Sequence, residues 1–315
     1  MGVRSLGNAL ASFGYKFGTT GLEAAGPNVP PPNLVASGGN IDGLQPGNGY
    51  TYHVFTSSGS LVISTVNSST DIEYLVAAGG GGGGYGRGDG SGGGGGGAGG
   101  VVVDTQPITS AVTYPITIGT GGVGASTPSG PGSAKGVDSS IGSLLTTTGG
   151  GLGNPGATQP HPQSGGPGGS GGGGANYTPP GAVATGGSGN SPSKSSPQTP
   201  QQGYPGGNGK FDNSSPGGGG GGAGGAGGNS PGGSNGGAGA PYPGFAATLF
   251  PSMPADWISS VGPTGLYGKG GDGGTPSEKP ASVDNTGNGG HGGHRSPGNG
   301  KTGASGIVIV RYSTY

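Results

Sequence analysis

Short stretches of alternating apolar and polar residues mark the first third of this chain. Residues 50–56 (YTYHVFT), 61–64 (LVIS) and 72–76 (IEYLV) combine the aromatic and β-branched side chains that favour strands. Serines and a glycine between the first two stretches indicate a turn, so the second is predicted to return beside the first. Residues 101–103 (VVV) and 144–148 (LLTTT) continue the series. This spacing is typical of a small antiparallel β-sandwich.

Two further stretches predict particular positions in that sandwich. Residues 114–118 (YPITI) contain a proline, which favours an edge strand or a bulge because proline cannot donate to the ladder. Residues 307–312 (IVIVRY) place apolar side chains on both faces of a strand, so both faces require burial. The dense apolar partners lie more than 150 residues earlier, near the start of the chain. The closing strand is therefore predicted to return to the sheet formed by the first third of the chain.

Glycine dominates the segments between these strands. The chain of 315 residues contains 90 Gly and 29 Pro, and six-glycine runs occupy residues 79–84, 92–97 and 217–222. Long helices are excluded, since each glycine costs about 1 kcal/mol in a helix interior. One interpretation is a flexible linker. The other is an extended helix with three residues per turn, whose backbone groups pair with neighbouring glycine helices. Strands on both sides of the runs favour the second interpretation.

The pattern divides the chain into four parts. Residues 1–40 form a leader, interpreted either as a peptide that attaches to a larger assembly or as a frayed tail. Residues 41–148 form the β-sandwich, and residues 149–306 form a glycine-rich extended region with proline-containing and aromatic loops. Residues 307–315 return to the sandwich. The predicted fold class is all-β, with a small antiparallel β-sandwich, polyglycine-like extended segments and little or no helix.

Composition excludes several classes of function. Lys and Arg total 11 and Asp and Glu total 12, so no electrostatic surface for nucleic acid or an anionic membrane is expected. No apolar run reaches the roughly 18 residues of a membrane-spanning helix. Charged residues form only 7% of the chain and cysteine is missing from the sequence, which argues against an enzyme and a thiolate metal site. His291 and His294, near Asp284, are interpreted as solvated loop histidines, so neither a metal nor a cofactor is predicted.

A resemblance to a known family rests on the order of the strand motifs. The motifs are residues 49–55 (GYTYHVF), 73–78 (EYLVAA), 114–119 (YPITIG), 284–287 (DNTG) and 306–312 (GIVIVRY). This order resembles that of glycine-rich phage virion proteins of the tail-fibre or appendage type, common in phages of marine cyanobacteria. The resemblance covers residues 49–312. It implies a virion appendage with stacked polyglycine helices, whose variable loops touch the host surface.

The resemblance also implies location and partners. We expect a non-enzymatic protein of the virion surface, made in the host cytoplasm and joined to other virion proteins through residues 1–40. A homotrimer is expected, with a host polysaccharide or protein as receptor. The aromatic and basic loop residues that are candidates for receptor contact, or alternatively lids over the glycine segments, are Tyr85, Arg87, Tyr177, Tyr204, Phe211, Tyr242 and Trp257.

Three alternatives stay open at the level of sequence. The first is a capsid-surface or collar fibre, or a decoration protein, that binds no receptor. The second is a non-viral glycine-helix protein that binds a surface through a flat array of small polar side chains at period three. The third is a disordered glycine-rich spacer, which predicts unprotected amides throughout residues 149–306.

Overall fold

Two five-stranded antiparallel sheets, a short helical segment and a set of hydrogen-bonded glycine segments make up the structure, which is a computed structural model. It describes residues 32–87, 90–127, 133–155, 164–176, 184–189, 202–210, 215–231 and 234–314. The predicted all-β class with little helix is confirmed. Residues 1–31, most of the predicted leader, lie outside the described residues.

The strands form two layers, and neighbouring strands in each layer are antiparallel. In spatial order, the first sheet contains β1 (Leu34–Ser37), β4 (Gly59–Val66), β7 (Val112–Thr117), β8 (Ser139–Ile141) and β9 (Leu145–Thr147). The second contains β2 (Ile41–Leu44), β3 (Tyr50–Phe55), β12 (Ile307–Ser313), β5 (Thr70–Ala77) and β6 (Val101–Ile108). The strand β1 lies inside the segment assigned to the leader, so the sandwich begins at Leu34.

A small helical segment covers the outer face of the second sheet. It consists of two 3₁₀ turns (Pro243–Phe245 and Ala247–Leu249), the helix α1 (Ala255–Val261) and a two-stranded ribbon of β10 (Ala240–Pro241) and β11 (Leu266–Tyr267). We call residues 240–267 the helical cap. It lies within the region that the sequence assigned to glycine-rich segments and loops.

The closing strand β12 lies at the centre of the second sheet, as its two apolar faces predict. It pairs with β3 on one side and β5 on the other. Val308 and Val310 join the core between the two sheets, whereas Ile307 and Ile309 join the core beneath the helical cap. All four side chains are fully buried. The closing strand thus pairs with two strands from the first third of the chain.

One predicted strand pairing and one predicted strand position are wrong. The strand β4 does not return beside β3; it pairs with β1 and β7 in the other sheet, because β2 and β12 occupy both edges of β3. The strand β7 is not an edge strand, since β4 and β8 flank it. Its Pro115 is tolerated because β8 pairs only with Ile116 and Thr117, which leaves the proline with a strand partner on one side alone.

A buried histidine of β3 contacts the loop after β1, the edge strand β2 and the central strand β12. The imidazole of His53 is fully buried and stacks on the ring of Tyr312. Its Nδ1 lies 3.0 Å from both the Gly38 carbonyl oxygen and Asp42 Oδ1, and its Nε2 lies 3.3 Å from the Tyr312 hydroxyl. These partners favour the neutral ring with the proton on Nδ1. Burial lowers the pKa of His53, against opposing contributions from Gly38 and Asp42.

The stability of this protein is expected to fall as the pH drops below about 6.5, the ordinary histidine value. Because the pKa of His53 is lowered in the folded chain, the unfolded chain takes up the proton first on acidification. The contribution is at most about 1.4 kcal/mol per pH unit. Urea unfolding between pH 5 and 8 measures it, and the variant His53→Gln should show a shallower dependence. The variant His294→Gln leaves the His53 network intact and should keep the wild-type slope; an unchanged slope in His53→Gln contradicts the prediction.

Candidate functional site

The glycine segments form a hydrogen-bonded array that we call the glycine lattice. Its segments are residues 78–86, 92–100, 119–125, 133–137, 148–154, 164–176, 184–189, 202–209, 215–229, 234–239, 268–275, 287–294 and 298–306. They connect directly to the sandwich: the first follows β5, the second precedes β6 and the last precedes β12. Segments 119–125 and 148–154 likewise follow β7 and β9, so the lattice is anchored on both sheets of the sandwich.

A period of three governs the hydrogen bonds of the segment 78–86. The N–H groups of Gly79, Gly80 and Gly81 donate to the carbonyl oxygens of Val137 (3.0 Å), Ala304 (2.9 Å) and Gly97 (2.8 Å), respectively. The N–H groups of Gly82, Gly83 and Gly84 then return to the same three segments in the same order. Three residues per turn, as in polyproline II, explain why every third group meets the same neighbour.

Carbonyl groups of the same segment bind three further neighbours. The carbonyl oxygens of Gly79, Gly80 and Gly81 accept hydrogen bonds from Gly150, Gly122 and Gly290, respectively. The segment therefore has six hydrogen-bonded neighbours, and the segment 92–100 is surrounded in the same way. Backbone hydrogen bonds thus take the place of apolar side chains in this part of the core.

Glycine is required in the lattice because of close backbone approach. A Cβ at Gly82 would lie 2.0 Å from the carbonyl oxygen of Val123, and one at Gly96 would lie 2.1 Å from that of Gly81. None of the glycines in the three six-glycine runs has the left-handed φ that side chains disfavour. Alanine is therefore excluded by its volume and not by its backbone conformation.

Asparagine and aspartate side chains complete the hydrogen bonding at the lattice edges. The backbone N–H groups of Gly149, Gly186, Gly236 and Lys269 donate to the side-chain oxygens of Asp138 (2.9 Å), Asn208 (2.9 Å), Asp272 (2.8 Å) and Asn288 (2.8 Å), respectively. Each oxygen replaces the carbonyl of a missing neighbour, much as a side chain caps a helix N-terminus. This role was not predicted, although Asx residues that recur inside glycine-rich segments are a sequence signal for it.

The two ends of the lattice differ. At the sandwich end, Ala78 N–H donates to the Gly100 carbonyl oxygen and Gly306 N–H to that of Gly119. At the opposite end, which we call the distal end, Gly86 and Gly298 form an antiparallel bridge. Most described stretches stop or resume at the distal end, on both sides of the residue gaps 88–89, 128–132, 156–163, 177–183, 211–214 and 232–233. Gln202, the described residue after the gap 190–201, lies instead at the sandwich end, where its Oε1 accepts from Thr148 N–H (2.9 Å).

Tyr85 and Arg87 lie together at the distal end. Both side chains are half-buried, and Arg87 N–H donates to the carbonyl oxygen of Ser91 (2.8 Å) across the turn between two lattice segments. Tyr177 and Phe211 lie outside the described residues, but each directly follows a residue at the distal end, Asn176 or Lys210. The distal end is therefore the candidate contact surface.

The candidate contact residues Tyr204 and Tyr242 lie away from the distal end. Tyr204 is half-buried toward the sandwich end, where its N–H donates to the Gly222 carbonyl oxygen (3.0 Å). Tyr242 belongs to the helical cap and is half-buried, and burial raises the pKa of its phenol. The structure does not bring these two tyrosines to Tyr85.

The assignment of Trp257 to receptor contact is wrong, because its side chain is only 1% exposed. It packs edge-on against Phe250 and Tyr267, and its Nε1 donates to the carbonyl oxygen of Asn285 (2.8 Å). A local signal was available in the sequence PADWISSV, where Trp257 and Val261 recur at helical spacing after Pro254. This pattern predicts a short helix with one buried face.

The imidazoles of the two histidines in the last glycine-rich stretch accept hydrogen bonds from backbone N–H groups. Nδ1 of His291 accepts from Asp272 N–H (2.9 Å) and Nδ1 of His294 from Ser296 N–H (3.1 Å). His291 is half-buried and not a solvated loop residue, and burial lowers its pKa. Within the described stretches, no group of three or more His, Asp or Glu side chains is arranged to hold a metal ion. The same stretches contain no helix long and apolar enough to cross a membrane.

The fold and the lattice define a β-sandwich protein with a polyglycine-type core. A family model described as "Glycine-rich domain" matches residues 56–313, and the chain belongs to this family. The match covers β4 to β12 and thus both the lattice and most of the sandwich. A search among curated proteins found no match.

Proposed function

We propose that this protein is a virion appendage subunit of a phage, a tail fibre or tail-tip adhesin that presents the distal end to the host surface. The observation that carries this proposal is that most described stretches begin or end at the distal end, opposite the sandwich that anchors the lattice. A lattice held by backbone hydrogen bonds on all sides is a rigid support, and binding residues are commonly carried by loops on such supports. The resemblance in motif order to phage virion proteins supports the same assignment.

The composition of the distal end fits a contact surface. Tyr85 offers a large ring with few rotatable bonds, which lowers the entropy lost on binding, and Arg87 supplies a planar donor. Tyr177 and Phe211 follow in sequence directly after distal-end residues. A host polysaccharide or surface protein is the proposed receptor, and the part of the predicted leader before β1, residues 1–33, is the proposed attachment to other virion proteins. A homotrimer remains part of the proposal.

Immunogold electron microscopy of purified virions, with antibodies against the full chain, tests the location. Gold at tail or fibre ends is the expected result. Gold spread over the capsid or collar would instead favour a decoration protein without receptor binding. Intact virions that bind no gold, with an antibody shown to bind the purified chain, would overturn the virion assignment.

Adsorption of virions that carry Tyr85→Ala is expected to fall about tenfold, which corresponds to about 1.4 kcal/mol of lost contact. The matched control is Tyr204→Ala, which removes the same side chain at the sandwich end and should adsorb as the wild type does. Adsorption is measured as the fraction of virions bound to host cells after a fixed time. Equal adsorption of both variants would contradict a contact role for the distal end.

A second candidate function has one observation in its favour. Thr120, Val123 and Ser126 repeat every three residues along one edge of the lattice and are exposed. A regular row of this kind is what a glycine-helix protein that binds a flat surface requires. The row is one segment wide and includes an apolar residue, so it supports a function less strongly than the stretch ends gathered at the distal end.

A further inference from the structure

A pocket of about 460 Å³ lies on the flank of the glycine lattice, away from the distal bridge between Gly86 and Gly298. Three lattice segments contribute to its lining: residues 236–239, residues 269, 270 and 272, and residues 288, 289 and 291. Ser260 of α1, Leu266 of β11 and the segment 281–283 contribute the rest. The volume falls in the range of about 300–1,000 Å³ that is usual for small-molecule sites.

Lys269 supplies a positive charge to this pocket. Its Nζ donates a long hydrogen bond to the Ser260 carbonyl oxygen (3.4 Å), and no carboxylate among the described residues pairs with it. An ammonium group has three donors, so Lys269 retains capacity for a ligand. The backbone of Lys269 is fixed, since its N–H donates to Asn288 Oδ1 (2.8 Å).

Hydrogen-bonding groups beside Lys269 are held in place by the lattice. Asp272 uses Oδ1 to accept from Gly236 N–H (2.8 Å), and its Oδ2 lies 3.2 Å from Lys279 Nζ. Asn288 uses Oδ1 for the lattice, and its Nδ2 makes one long bond to Ser260 Oγ (3.4 Å). Asp272 Oδ2 keeps a second lone pair beside its ion pair with Lys279, and Asn288 Nδ2 keeps a second N–H, so each side chain can still bind a ligand hydroxyl.

His291 adds a donor to the same wall. Its Nδ1 accepts the N–H of Asp272 (2.9 Å), so the neutral ring carries its proton on Nε2. Leu266, Ala281 and Val283 add apolar surface to the lining. The pocket thus combines one cation, donors and an acceptor at fixed positions, and an apolar patch.

We propose that this pocket binds an acidic sugar unit of the uronic-acid type. Lys269 pairs with the carboxylate, Asp272 and Asn288 bind ring hydroxyls, and Leu266 and Val283 pack against the C–H face of the ring. The site takes a monocarboxylate sugar in preference to a phosphate group because one lysine is its only unpaired cation among the described lining residues, and no arginine lines it. The proposal does not depend on a virion location, since it concerns a pocket separate from the distal end.

Titration of the full-length chain with sodium D-glucuronate, with D-glucose as the neutral probe, tests the proposal. Saturable binding of glucuronate and at least tenfold weaker binding of glucose are expected. Amide chemical shifts in wild-type chain should change at Gly236–Gly239 and at Lys269–Asp272, and those at the distal end should stay constant. Equal affinities for the two sugars, saturation by neither, or shifts confined to the distal end would each overturn the proposal.

Substitution of the lysine separates charge recognition from the shape of the pocket. Lys269→Gln is expected to weaken glucuronate binding at least tenfold with little effect on glucose, and Lys269→Arg should retain most of the binding. Lys135→Gln, which removes an exposed lysine outside the pocket, is the matched control and should bind as wild type does. Unchanged glucuronate affinity in a folded Lys269→Gln chain would overturn the role of this lysine. If that variant does not fold, the chemical-shift map of the wild-type chain still decides the location.

Discussion

Replacement of Gly96 by alanine is expected to prevent the glycine lattice from forming. A Cβ at this position would lie 2.1 Å from the Gly81 carbonyl oxygen and 2.6 Å from its carbon. Both atoms are backbone, so no side chain can move aside, and Gly96 is also held by hydrogen bonds to Gly290 and Gly271. Ordinary overpacking of a core costs about 1–3 kcal/mol. Here we expect a loss of at least about 4 kcal/mol in the free energy of unfolding, in the range that abolishes folding of many domains.

Gly225→Ala is the matched control for this substitution. A Cβ at Gly225 would lie 3.7 Å from the nearest atom, the Ala238 nitrogen, which is ordinary van der Waals contact. The φ of Gly225 is not left-handed, so alanine fits without strain. We expect unchanged stability or a gain of up to about 1 kcal/mol, because alanine restricts the unfolded chain. Urea unfolding and amide exchange of the lattice glycines measure both variants, and equal stability of the two would contradict the close-approach argument.

Replacement of Trp257 by alanine is expected to lower the free energy of unfolding by about 3–5 kcal/mol. The indole is the largest fully buried side chain and packs between Phe250 and Tyr267 in the core beneath the helical cap. Its removal leaves a cavity and also leaves the Asn285 carbonyl oxygen without the indole donor. Trp257→Phe keeps most of the apolar volume and should cost less. Thermal and urea unfolding measure the series.

The Trp257 series also separates a structural role from a contact role. A buried indole predicts reduced stability with normal receptor binding per folded molecule. A contact residue predicts the reverse: normal stability with reduced binding. A fully stable Trp257→Ala chain that adsorbs poorly to host cells would therefore overturn the assignment of Trp257 to the core.

Alternation of apolar and polar residues was sufficient to locate several of the strands. The stretches that became β3, β5 and β9 stand out because each combines β-branched or aromatic residues with nearby turn residues. The burial of both faces of β12 followed from Ile307 to Val310, since four successive apolar residues cannot all be covered from one side. These conclusions depend on local composition, which a single sequence contains.

The pairing of the strands could not be predicted from local composition. The turn after β3 has the composition of a hairpin, yet β4 crosses to the other sheet because β12, from the far end of the chain, takes the available edge of β3. Pro115 indicated an edge, but the short extent of β8 makes an interior strand tolerable at that point. In both cases a contact distant in sequence outweighed a local preference.

The positions of the candidate contact residues also depended on the tertiary structure and not on local sequence. Tyr85 and Tyr204 occur in similar glycine-rich contexts, and only the direction of each lattice segment separates the distal end from the sandwich end. Trp257 lies in a short stretch with helical spacing, but its burial depends on the second sheet beneath the helical cap. The pocket around Lys269 combines three lattice segments with α1, so its lining comes from parts of the chain that no motif links.

Composition and pattern alone established an all-β chain with extended glycine segments, because glycine excludes long helices and alternating apolar residues require a sheet. They also showed that glycine segments need partners, since an extended glycine helix has no hydrogen bonds of its own. Which segments become partners, which end carries the connections and which side chains cap the edges depended on the fold. The reason is that a glycine run has no side chains to encode a neighbour, so its register is imposed by the strands to which it is joined.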